Sequence, residues 1–160
     1  MKYALLIAMG LIFWSCFNEG DCIITATNYM EIQFKKKSNH SLDSLVAFTS
    51  IRISGTDSTL VFSSVTSAIN IPVDIHHDTT RFILNRVNTS DSTLVGSDTL
   101  TVRYIRQSKV ISRDCGAYTF YTNLKIVKTS LDSAQIRILS TSLIKDPSSS
   151  AYAVNYQIFY

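Results

Sequence analysis

The densest cluster of residues able to do chemistry is His76-His77-Asp78. Two imidazoles and a carboxylate could begin a metal site, but a metal needs a third or fourth ligand. On a strand, moreover, neighbouring side chains point to opposite faces. The three are expected as solvated loop residues holding no metal. Nucleophilic catalysis would need a serine brought to His76 or His77 by the fold, because the chain has no Gly-x-Ser-x-Gly elbow. The third histidine, His40, stands beside Lys37, Ser38 and Asn39 in a loop sequence. Glutamate occurs only as Glu19 and Glu31, so acid–base chemistry would rest on aspartates, most of them in Asp-Ser turn sequences. Five glycines supply no phosphate-cradling loop. No catalytic residue, metal or cofactor is assigned, and an enzyme is not expected.

The cysteines carry more information. There are three, Cys16, Cys22 and Cys115, and an odd count in an exported protein leaves one thiol to account for. Cys16 closes a stretch in which Lys2 supplies one positive charge and residues 4–14 carry none. An apolar run of this length behind a basic start reads as a secretory signal, too short for a spanning helix of about 20 residues. Its Leu, Ala, Met and Ile favour a short signal helix before processing. Ser15-Cys16 resembles the end of a bacterial lipobox, where the signal is cut before the cysteine and the sulfur receives a diacylglycerol. Phe13 and Trp14 make it one of the looser boxes common in Bacteroidetes lipoproteins. Phe17-Asn18-Glu19-Gly20-Asp21 follows as a polar, acidic tether, with no aspartate at position 17 to signal inner-membrane retention. With Cys16 taken by lipid, Cys22 and Cys115 remain as an even pair in an oxidising compartment, and a disulfide between them is expected. Two free buried thiols are the alternative. The bridge would enclose roughly 90 residues, for which loop-closure entropy allows at most about 4–5 kcal/mol.

The elements that must hold these residues are strands. The chain has 160 residues and a net charge of +3, with Ser, Thr, aromatic and β-branched residues abundant. So mild a charge gives no reason to expect nucleic acid as a partner. Residues 1–15 read as the lipoprotein signal, 16–26 as the lipidated tether and 27–160 as a single all-β domain. Met30, Ile32 and Phe34 alternate with polar residues, the mark of a half-buried strand. In residues 45–54, Ala47, Thr49, Ile51 and Ile53 are expected on one face, with Phe48 on the other. Gly55-Thr56-Asp57 reads as a hairpin turn, and Pro72 confines residues 68–75 to a sheet edge or a linker. Gly96-Ser97-Asp98 reads as a turn into a strand carrying Leu100, Val102 and Tyr104. Asp57-Ser58-Thr59-Leu60-Val61 recurs as Asp91-Ser92-Thr93-Leu94-Val95, which is read as one hairpin device used twice rather than a repeat architecture. Nine or ten short strands with regular turns fit an antiparallel β-sandwich, Ig-like or related. Tyr152, Val154, Tyr156, Ile158 and Tyr160 form an alternating row that also resembles the C-terminal signal of outer-membrane barrels. A small integral barrel is therefore the alternative architecture.

Ser112, Arg113, Cys115 and Gly116 lie between two strand sequences. With Cys16 and Cys22, they resemble a Bacteroidetes family of envelope lipoproteins known as a domain of unknown function with a Ser-Arg-x-Cys-Gly segment. The resemblance implies an exported, lipid-anchored β domain and supplies no catalytic residues. The expectation is a cell-envelope protein held at the outer membrane through Cys16, non-catalytic, with an envelope protein or glycan as possible partner. Lys35-Lys36-Lys37 is expected as a solvated strand end, with contact to an anionic glycan or lipid headgroup as the sharper alternative.

Overall fold

The computed structural model describes residues 22, 24–61, 64–88, 90–113, 115–149 and 151–160. Residues 1–21, where the expected signal, Cys16 and the expected tether fall, and Ile23, Phe62, Ser63, Thr89, Asp114 and Ser150 lie outside the described residues. Among the described residues, nine strands and no α-helix form two open sheets. The four-stranded sheet has the order β4-β1-β9-β8, built from β1 (Tyr29–Lys35), β4 (Ala68–Pro72), β8 (Ile136–Ile138) and β9 (Val154–Phe159). The five-stranded sheet has the order β3-β2-β5-β6-β7. Its members are β2 (Ala47–Ile53), β3 (Thr59–Val61), β5 (Thr79–Val87), β6 (Leu94–Ser112) and β7 (Gly116–Thr129).

The two sheets face each other across one core. Met30, Ile32, Phe34, Tyr156 and Ile158 come from one side, and Ile51, Phe82, Leu84, Leu100 and Val102 from the other. The domain is an all-β sandwich. Its strands do not close into a barrel, and its inner faces are apolar where a small membrane barrel keeps a polar lumen. The core-facing row of β9 explains the terminal aromatic pattern: Tyr156 and Ile158 are buried, and Phe159 is buried on the opposite face. There Phe159 stacks on His40, ring centroids 4.1 Å apart, with Arg137 over its ring.

Several local expectations hold. β1 buries Met30, Ile32 and Phe34 completely. β4 is the outer strand of its sheet, as Pro72 requires. Gly55, at φ 86°, makes the turn between β2 and β3, which only glycine adopts without strain. Both copies of the Asp-Ser-Thr-Leu-Val sequence lead out of hairpin turns into strands, β3 and β6.

Other expectations are corrected. Phe48 is buried with Ile51 and Ile53, and Thr49 is exposed, because a bulge between Phe48 and Ser50 reverses the facing of the strand at that point. Gly96-Ser97-Asp98 is no turn. These residues pair with Arg86, Asn85 and Leu84 in the middle of the β5–β6 ladder. The turn lies earlier, with Ser92 at φ 57° and the Asp91 carboxylate capping Thr93. What holds the polar stretch in the sheet is its cross-strand chemistry. Arg86 Nε donates to Asp98 Oδ2 over 2.6 Å, and Ser97 Oγ donates to Asn85 Oδ1 over 2.6 Å. Finally, β1 and β9 pair in parallel within an otherwise antiparallel fold. The whole five-stranded sheet separates them in sequence, which gives the long crossover a parallel pair needs.

At the β1–β9 seam the register slips between Glu31 and Ile32, which pair with Val154 and Tyr156. Asn155, wholly buried, is the residue left over. Its Oδ1 accepts from the Glu31 amide over 3.1 Å, and its Nδ2 donates to the Ser140 and Ser142 carbonyls. The side chain thus replaces the missing ladder bond and leaves no buried polar group of its own unpaired.

Candidate functional site

Two features of the described residues bring chemistry-bearing side chains together, and they are neighbours on β6. The first is the disulfide. Cys22 and Cys115 are bonded, with Cα atoms 5.6 Å apart and a sequence separation of 93. Cys115 sits in the turn joining β6 to β7, whose ladder runs out to Ser112↔Gly116. The N-terminal segment reaches this turn along the edge of the fold. Leu143 bridges to Tyr121 on β7, Ala26 bridges to Ile144, and the Lys145 amide donates to the Thr25 carbonyl over 2.9 Å. The bridge expected from cysteine parity is therefore present, and it ties the start of the domain to the tip of its longest hairpin.

That hairpin leaves the sandwich. β5 pairs with β6 only as far as Thr79↔Arg103. Beyond Tyr104 every β6 residue is exposed, on both faces, because no opposite sheet covers them. Val110 is 70% exposed and Ile111 41%.

The second feature lies where the hairpin departs: Asp74 takes the His77 ring and the His76 backbone amide, and Arg106 takes Asp78. The loop after β4 folds back over β6 around Asp74. The Asp74 carboxylate accepts from the His76 amide over 2.8 Å and lies 2.7 Å from His77 Nδ1. The Asp74 amide donates to Thr80 Oγ1 over 2.7 Å, and its carbonyl accepts from the Tyr104 hydroxyl over 2.6 Å. Thr80 Oγ1 and Tyr104 Oη are 2.8 Å apart, both buried. Outside this buried knot, Arg106 donates from Nε to Asp78 Oδ1 over 2.6 Å and from Nη1 to the Ile75 carbonyl over 2.7 Å. A shallow pocket of about 420 Å³ opens beside it, lined by Ile75, Asp78, Arg103, Ile105, Arg106 and Thr119.

The electrostatics follow from these contacts. The His76 amide holds the Asp74 carboxyl below the usual carboxylate range, and the His77 ring adds to the effect. Burial pushes the Tyr104 phenol up to about 12, against a smaller opposing effect of the Thr80 hydrogen bond. The Tyr121 phenol is raised by burial as well. Hydrogen bonding to Asp78 raises Arg106, which is thus fixed as a cation.

Chemically, the Asp74–His77 pair orients one imidazole nitrogen, as the acid–base half of a nucleophilic site would. Among the described residues, however, no serine hydroxyl is hydrogen-bonded to His76 or His77. Nor, among them, do three or more metal-ligating residues gather. The network fastens a loop to the base of the hairpin. Lys35, in the lysine run, pairs with Asp43 over 2.6 Å, while Lys36 and Lys37 are exposed.

A third surface is apolar. Ile126, Val127, Ile136 and Ile138 line a groove of about 470 Å³ between β7 and β8, which are the outer strands of the two sheets. Val127 and Ile138 are about half exposed, at 54% and 52%. The large exposed apolar side chains are aliphatic, Tyr29 excepted. Tyr29, 39% exposed, stacks on Tyr152 with ring centroids 5.6 Å apart.

Comparison with known proteins adds one positive finding. A family model described as a family of unknown function (DUF6452) matches residues 44–160, which hold β2 to β9. No curated protein and no solved structure matches.

Proposed function

We propose that this chain, which belongs to DUF6452, a family of unknown function, is a lipid-anchored envelope module of the Bacteroidetes type. It is held at the outer membrane through Cys16 and engages a partner without catalysing a reaction. One observation carries the reading. Cys22 and Cys115 consume each other, so the odd sulfur is the one that closes an apolar N-terminal run. A disulfide of this kind also fits an oxidising compartment rather than a reducing cytosol.

An envelope protein fits the exposed surface better than a glycan. Sugar rings are held by aromatic faces, whereas this surface offers aliphatic side chains beside the outer strands of two sheets. An extended segment of a partner could add to β7 or β8 and place side chains in the groove lined by Ile126 and Ile136.

The test has two parts. With Cys16→Ser the protein is expected to lose fatty-acid labelling and leave the membrane fraction, and retention of label would refute the anchor. Photo-crosslinkers placed at Val127 and, for reference, at Val61 should then yield one stoichiometric envelope partner at Val127 alone. Equal capture at both positions, or none, would refute the proposed face.

A further inference from the structure

We infer that the tip of the β6–β7 hairpin is a second membrane contact, with Val110 and Ile111 seated in the phospholipid surface that holds the anchor. The inference rests on the reading of Cys16 as lipidated. It deepens that reading by giving the domain a fixed face toward the bilayer.

Covalent reach is the first argument. Cys22 follows Cys16 by six residues, which span no more than about 22 Å even fully extended. Cys22 is bonded to Cys115 at the hairpin tip. A lipid on Cys16 therefore holds the hairpin tip, together with Ile144 and Lys145 that pair with Ala26 and Thr25 just beyond Cys22, within a short radius of the headgroups. A weak contact suffices under such tethering, because the linkage raises the local concentration of tip and surface to the millimolar range.

The composition of the tip is the second argument. Val110 and Ile111 are the exposed apolar pair, with Ala117 opposite Val110 in the ladder. The ladder slips between Val110 and Ser112, so the pair sits at an irregular end that does not continue the sheet. Lys109 and Arg113 flank the pair, both exposed, where long cationic side chains can keep their charge at headgroup level while the stems lie along the apolar boundary. In sequence, Asp114 follows Arg113, and the tether carries Glu19 and Asp21, so these segments together bear no net positive charge. The contact is thus apolar in origin and insensitive to salt.

The chain offers a clean probe. Its single tryptophan, Trp14, belongs to the signal segment and is absent once that segment is removed. The lipidated mature protein carrying Val110→Trp would be reconstituted into vesicles of phosphatidylethanolamine and phosphatidylglycerol, with or without brominated acyl chains. Ile111→Trp serves as an independent second site. Val61→Trp, on the opposite outer strand of the five-stranded sheet and 80% exposed, is the reference. The expected result is a blue-shifted emission at positions 110 and 111, quenched by bromine several-fold more than at position 61 and unchanged by added salt. Equal quenching at all three positions on acylated protein would overturn the membrane contact and leave the anchor standing. Quenching at the tip that salt abolishes would overturn its apolar origin. Purified protein with no acyl group on Cys16 would overturn the anchor reading and this inference with it.

Discussion

β6 is one strand with two lives. Over residues 100–104 it lies beneath the opposite sheet, paired with β7 on one side and, as far as Arg103, with β5 on the other, and Leu100, Val102 and Tyr104 are 0%, 0% and 1% exposed. Over residues 105–112 it keeps β7 as a partner but loses both β5 and the covering sheet, and every residue is exposed. Isoleucine and valine occur in the outer half as they do in the core. Composition therefore did not decide which half is buried; the covering layer did. The outer half is held instead by covalent and polar ties, the Cys22–Cys115 bridge at its tip and the Asp74–Thr80–Tyr104 knot at its base.

Substitution should separate the halves sharply. Leu100→Ala is expected to cost about 3–5 kcal/mol in chemical denaturation, through lost burial and the cavity left behind. Val110→Ala should change stability by no more than about 0.5 kcal/mol. Comparable losses at both positions would mean that the outer half is packed after all. Next in size is the bridge. Replacing Cys22 and Cys115 together with serine should lower stability by about 2–4 kcal/mol, and reductant should reproduce the loss in the parent protein and add nothing in the variant.

A smaller effect of opposite sign is expected inside the core. Among the described residues the buried Tyr156 hydroxyl has no hydrogen-bond partner, and burial pushes its phenol up to about 12. Tyr156→Phe removes the desolvated hydroxyl and should stabilise the fold by about 1 kcal/mol, read as a raised midpoint. Smallest is the acid response of the knot. The Asp74 carboxyl is held below its ordinary value in the folded state. Its contribution is present above the unfolded carboxyl value and is lost as pH falls through the lowered folded one. Between about pH 5 and about pH 2 the parent should therefore lose more thermal stability than Asp74→Asn. Parallel curves would deny Asp74 that role.

The legible parts of this molecule are those governed by near neighbours. Alternation in Met30, Ile32 and Phe34 identified a face because one sheet covers β1 along its length. Cysteine parity identified the bridge because a disulfide answers to a count. Phe48 takes the face opposite to the one its alternation predicts because a single bulged residue inverts the strand before it. Gly96-Ser97-Asp98 has turn-like residues, and nothing local in the sequence shows Arg86 and Asn85, the strand partners that hold it in the sheet. Asn155 and the Asp74 knot were missed for the same reason: Asn155 meets Glu31 across 124 positions, and Tyr104 meets Asp74 across 30. The parallel β1–β9 pair leaves no local signal at all.

The proposed anchor turns on the chemical state of one sulfur, and intact mass of the protein purified from its native cells reads it. The expected mass is that of residues 16–160 carrying a diacylglyceryl group on Cys16, less two hydrogens for the single disulfide. A mass that retains Met1, or a Cys16 thiol that takes up an alkylating reagent, would contradict it.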